Sequence, residues 1–134
     1  MNELQFPNLL DRLIDAHTKY GSIIIAVDYD DTIFDYTGPS NTGDYVFNLV
    51  LKCKQLAKSR VILFTCREGL ALDAAISSAK GKGLTFDAVN ENLPEVVLGY
   101  VTRKPFYNVL LDDRSGLKET CEVLERFLEK IKNG

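Results

Sequence analysis

Three short runs of apolar, largely β-branched residues, 22–27 (SIIIAV), 61–64 (VILF) and 107–111 (YNVLL), alternate with longer stretches of helical period. A strand that is apolar on both faces is buried on both, which is the situation inside a parallel sheet covered by other layers. The intervening stretches carry the matching pattern. Leu9, Leu10, Leu13 and Ile14 recur at helical spacing in a first segment that should end near Gly21. Val46, Leu49, Val50, Cys53, Leu56 and Ala57 share one face of a helix over 44–58. Residues 70–80 are Ala-rich and closed by Gly81 or Gly83, and Leu117, Cys121, Leu124 and Leu128 form a stripe over 116–131. A short strand is expected over 84–89, and Pro94 is placed to open a short helix over 95–100. The expected fold is α/β: a single three-layer, Rossmann-like domain over 1–134, with a mainly parallel sheet, helices on both faces and an N-terminal helix within 1–20 packed on the core.

Composition narrows the function classes. With 134 residues, 46% of them hydrophobic, the chain can bury one core. Sixteen basic residues against 19 acidic ones give a net charge of −3, which lacks the dense basic face of a general nucleic-acid or membrane-surface binder. Lys52, Lys54, Lys58 and Arg60 read as a solvated helix face, so nucleic acid is an unsupported partner. His17 is the single histidine, which excludes a multi-His metal centre within one chain and argues against a His-based triad. Cys53, Cys66 and Cys121, odd in number and without a C-x-x-C pattern, read as buried apolar thiols. No apolar run approaches the roughly 20 residues of a membrane span. Glu3, Asp11, Arg12 and Asp15 make the first residues unlike a signal peptide. The expectation is a soluble, cytoplasmic protein with no membrane partner.

In an open parallel sheet, ligands bind beyond the carboxyl ends of the strands. The informative residues are therefore those just after each apolar run: Asp28, Asp30, Asp31 and Thr32; then Thr65, Cys66 and Arg67; then Asp112, Asp113 and Arg114. Carboxylates gathered on one rim repel, so a cation is their natural partner, and oxygen donors without a His or Cys cluster favour Mg²⁺ over zinc. Each residue alone has a plainer role. An Asp after a strand commonly caps a helix or turn, a Thr commonly ends a strand, and the Asp112-Asp113 pair is placed to cap the last helix. The joint order is what carries information: an acidic D-x-D-x-T, then a Thr, then an acidic pair, each ending an apolar strand.

On these residues the chain resembles the haloacid dehalogenase superfamily of phosphatases. IIIAVDYDDTI (23–33) is similar to its first motif, VILFT (61–65) to its second and VLLDD (109–113) to its fourth. Residues 65–90 further resemble the small capless bacterial and phage members. The resemblance implies an Mg²⁺-dependent phosphomonoester hydrolase. Asp28 is then the nucleophile that forms an aspartyl-phosphate, and Asp30 the general acid and base. Asp28, Asp112, Asp113 and the Asp30 carbonyl hold the metal, and Thr65 binds the phosphoryl oxygens. The third motif, a cation, falls on Lys104, with Arg103, Lys80 and Lys82 as rivals. Asp31 occupies a position that is often Gly. Arg67 is a candidate to reach substrate phosphate or a leaving group bidentately, or else to bridge Glu68 or a core carboxylate, and Asn90 is a candidate rim residue or a turn residue.

Asp28 and Thr65 are 37 positions apart, which leaves room for a loop and one helix but not for a cap domain. An open site needs a large substrate, a lid over 34–43, or a neighbouring copy to exclude water. Phe34, Tyr36 and Tyr45 are candidates for its apolar wall, or for packing on the sheet. The partner that the resemblance implies is a phosphorylated small molecule or macromolecule. Two other readings exist: a silent domain that binds a phosphorylated ligand, and a receiver-type phosphoacceptor. The receiver fails on order, because its acceptor Asp precedes the Thr strand, whereas here the middle strand ends in Thr65 itself.

Overall fold

The computed structural model describes residues 8–38, 40–96 and 105–133. Each apolar run becomes a strand: β1 (Ile24–Asp28), β2 (Arg60–Phe64) and β4 (Val109–Leu111), with the two-residue β3 (Ala88–Val89) after the third helix. The helices are α1 (Leu9–Tyr20), α2 (Thr42–Ala57), α3 (Gly69–Gly81) and α4 (Leu117–Asn133). All strand pairings are parallel, in the order β3-β2-β1-β4. This is the α/β, Rossmann-like fold that the alternation predicts.

Local signals set the helix ends. Asn8 Oδ1 accepts the Leu10 N–H at 2.8 Å, and Gly21, at φ 78°, closes α1 by donating its N–H to the His17 carbonyl at 2.8 Å. The start of α2 lacks a side-chain bond from its own cap residue Asn41; Asp35 Oδ1 supplies it instead, taking the Gly43 N–H at 3.0 Å. Leu56 departs from expectation. It lies on the exposed side of α2, and Phe47 takes a buried place.

One face of the sheet, carrying Ile25, Val27, Val61, Leu63, Val109 and Leu111, forms a single buried cluster with residues of all four helices. α1 joins it through Leu13 and sets His17 edge-on to Phe127 of α4, with ring centroids 5.7 Å apart. Phe127 is fully buried, and its truncation to Ala would cost about 3–5 kcal/mol. The opposite face is also covered, since Ala26 and Ile62 are fully buried. Leu93, Val96 and Phe106 of the β3–β4 connection line one hollow there with Ile24 and Arg60. The helix expected over 95–100 falls largely outside the described residues.

Two strands are shorter than the stretches expected for them, because side chains replace ladder bonds. Before β3, the Asp87 carboxylate accepts the Val61 N–H at 2.7 Å and pairs with Lys54 and Arg60. Before β4, Asn108 Oδ1 accepts the Ile24 N–H at 2.7 Å while its own N–H donates to the Ile24 carbonyl at 2.8 Å.

Candidate active site

The chain runs from β1 outward to β2 and β3, then returns to lay β4 on the other side of β1. The β1/β4 junction is therefore the point where the connections diverge, and a crevice opens there at the strand carboxyl ends. Register brings the acids to it. Val27 pairs with Leu111, so Asp28 stands level with Asp112. Asp28 also pairs with Phe64, so Thr65 lies one step beyond it on the next strand. Asp28, Phe64, Thr65, Cys66, Asn90, Pro105 and Asp112 line an open hollow of about 400 Å³.

Carboxylate oxygens of Asp28, Asp112 and Asp113 lie within 4.8 Å of one another. Asp28 is half-buried, and burial, its hydrogen bond with Asp113 and the charge of Asp112 push its carboxyl up from 3.8 to about 6. Among the described residues the cluster is short of positive charge, and its all-carboxylate chemistry fits a hard divalent cation. Asp112 also closes a turn rather than capping α4: its Oδ1 accepts the Arg114 N–H at 2.9 Å, and α4 begins only at Leu117.

Thr32 ties the two halves of the cluster together, a role the sequence did not disclose. It is fully buried, and its Oγ1 accepts the Asp113 N–H at 3.0 Å. The same hydroxyl lies 3.4 Å from Asp28 Oδ2 and 3.5 Å from Asp113 Oδ1. The turn that places it is closed by the N–H groups of Thr32, Ile33 and Phe34, all donating to the Tyr29 carbonyl. Asp31 sits in that turn at φ 60°, which explains a position where Gly is also suited; its Oδ1 accepts the Thr37 N–H at 3.0 Å.

Asp30 is on the rim but its side chain is outside the carboxylate cluster. Its two oxygens take Arg67 Nε at 3.0 Å and Nη2 at 2.7 Å. Of the roles open to Arg67, bridging a carboxylate is the one observed, and the carboxylate is that of Asp30. Thr65 faces the hollow, its Oγ1 accepting the Arg67 N–H at 3.0 Å. Asn90, at φ 53°, spends its amide on the backbone of Thr65: Oδ1 accepts the Thr65 N–H and Nδ2 donates to the Thr65 carbonyl, both at 3.0 Å. That is the turn-residue role, played at the rim, since Asn90 also lines the hollow.

Lys104 and Arg103 lie outside the described residues. α3 leads away from the rim, and Lys80 and Lys82 stand at its far end, Lys82 lying 5.4 Å from the Phe47 ring centroid. The cysteine reading holds for two of three thiols. Cys53 and Cys121 are buried, and burial pushes them up to about 12 and about 11. Cys66 is exposed on the rim, because the apolar run ends before it. Phe34 is stacked on Tyr29 at 5.4 Å but keeps 40% of its surface exposed, while Tyr36 and Tyr45 are exposed.

Fold and rim together define a class: a Rossmann-like α/β domain with an acidic cluster at its topological switch point. No family model matches the chain, and no curated protein does. A solved structure of a conserved protein from Bacteroides thetaiotaomicron is 32% identical to it, covering 84% of this chain and 91% of that one with a TM-score of 0.61. The chain belongs to one family with that Bacteroides protein. Among the described residues, no helix is long and apolar enough to cross a membrane.

Proposed function

We propose that this protein is a Mg²⁺-dependent phosphomonoester hydrolase of the haloacid dehalogenase type, working through an aspartyl-phosphate on Asp28. The convergence of Asp28 with Asp112 and Asp113 carries the reading, since it joins the first and fourth motifs of that superfamily in one crevice. Asp28 attacks phosphorus, and Asp30 gives its proton to the departing alkoxide as the P–O bond breaks. Asp30 then takes a proton from the water that displaces phosphate from Asp28. Thr65, whose hydroxyl oxygen already accepts the Arg67 N–H, keeps its own hydrogen for a phosphoryl oxygen. The side chains of Asp28, Asp112 and Asp113 with the Asp30 carbonyl would hold the metal. When bound, Mg²⁺ supplies the positive charge that lets a carboxylate approach a phosphate dianion.

Lys104 is our candidate for the phosphoryl-stabilising cation; its neighbour Pro105 lines the same hollow as Asp28 and Asp112, which supports that choice. The open hollow suits a phosphorylated small molecule, a macromolecule, or a site completed by a second copy of the chain. Free cysteines fit a reduced, cytoplasmic setting. A panel of phosphomonoesters with Mg²⁺, run beside Asp28→Asn, tests the reading. Wild type should turn over at least one class, and the variant should lose more than about 10³-fold in kcat while melting as a folded protein. A wild type inert across the panel, or an active Asp28→Asn, would overturn it.

A further inference from the structure

We propose that Arg67 is the positioning residue of the general acid and base, orienting the Asp30 carboxyl for proton transfer rather than gripping substrate phosphate; this rests on the hydrolase reading above. The pair is bidentate, Nε to Oδ2 at 3.0 Å and Nη2 to Oδ1 at 2.7 Å, so the guanidinium fixes the plane of the carboxylate as well as its place. Asp30 needs such help. Its side chain is 33% exposed, and a short, solvated carboxylate at a turn samples several rotamers unless something selects one.

Arg67 is itself held from four sides. Its guanidinium carbon lies 4.8 Å from the Tyr29 ring centroid and 5.6 Å from that of Phe34. Nη1 donates to the Ala71 carbonyl at 3.4 Å, and its backbone N–H is fixed on Thr65 Oγ1. Tyr29 is 5% exposed and belongs to the buried cluster, so the plate beneath the guanidinium is part of the core. Asp30 thereby takes the Nε–Nη2 edge of the fork, and Ala71 draws on one hydrogen of Nη1. A grip on phosphate through Nε and Nη2 would have to break the pair with Asp30. Arg67 exchanges no proton in the cycle: Asp30 enters it carrying a proton taken from solvent, loses that proton to the leaving oxygen and regains one from water.

The prediction concerns leaving groups. An aryl phosphate such as p-nitrophenyl phosphate departs with little need of a proton, whereas a primary alkyl phosphate needs one. The value of kcat/KM, which reports steps up to cleavage of the P–O bond, is measured for both substrates in wild type, Arg67→Gln, Arg67→Lys and Asp30→Asn. Arg67→Gln should lose about 10²-fold on the alkyl ester and less than about tenfold on the aryl ester. Asp30→Asn should show the same bias more strongly, and Arg67→Lys, with a charge but no fork, should fall between wild type and Arg67→Gln. If Arg67→Gln does not fold, the Arg67→Lys ratio decides. Equal losses on the two esters, as for a phosphate grip or a general loosening, would overturn the assignment while leaving the hydrolase reading intact. A wild type inert on both esters would withdraw that reading and this assignment with it.

Discussion

The Thr32 hydroxyl stands between carboxylates from opposite ends of the chain, accepting the Asp113 N–H and lying within 3.5 Å of Asp28 and Asp113. Thr32→Val keeps the shape but leaves that N–H without its acceptor and frees the Asp113 loop to drift. We expect a loss of about 1–2 kcal/mol in denaturant unfolding and a drop of about tenfold in Mg²⁺ affinity by calorimetry. Thr32→Ser should restore most of both. Unchanged affinity in the Val variant would show that Asp113 needs no such support. This residue was visible in the D-x-D-x-T pattern without a role, because the closure of a turn onto a loop 81 positions away is not written in local spacing.

Among elements, the ends of β2 and β3 are clasped by a single amide. Asn90 holds both the N–H and the carbonyl of Thr65, and its positive φ of 53° lets the chain turn to do so. Asn90→Gly suits that backbone conformation but removes the clasp, whereas Asn90→Ala removes the clasp and adds strain. Both should destabilise, Ala by about 1–2 kcal/mol or more, and both should raise KM for a phosphomonoester through a looser Thr65. Destabilisation with Ala alone would assign Asn90 to backbone conformation only. At this scale the boundaries shifted where side chains took over ladder bonds. A strand is expected over 84–89, but Asp87 satisfies the Val61 N–H with its carboxylate, leaving two residues in β3.

Across the whole molecule, charge and folding are linked through Asp28. Its carboxyl is pushed up to about 6 in the fold, against 3.8 for an ordinary aspartate, so between these values the folded chain holds a proton that the unfolded chain has released. The contribution of this group to stability is therefore greatest at low pH, falls as pH rises through that window, and stays low above it. Asp28→Asn should flatten this part of the pH–stability curve of the metal-free protein. A divalent cation competes with the same proton. Mg²⁺ should raise the melting temperature more at about pH 8 than at about pH 5, and should do so much less in Asp28→Asn. An equal Mg²⁺ shift at both pH values would place the ion away from Asp28.

The amino-acid sequence alone determined which segments are strands and which are helices, that the strands run parallel, and that acids stand at their carboxyl ends. Those are consequences of local periodicity and of the residue that follows each apolar run. Only the tertiary structure decided which acids meet. The register Val27 with Leu111, and the return of β4 to the free side of β1, bring Asp28 to Asp112 and Asp113. The turn after β1 and the stacked Tyr29–Phe34 pair send Asp30 to Arg67, outside that cluster. Pairing between strands and the choice of side-chain partner are made across the fold, so no local pattern could fix them.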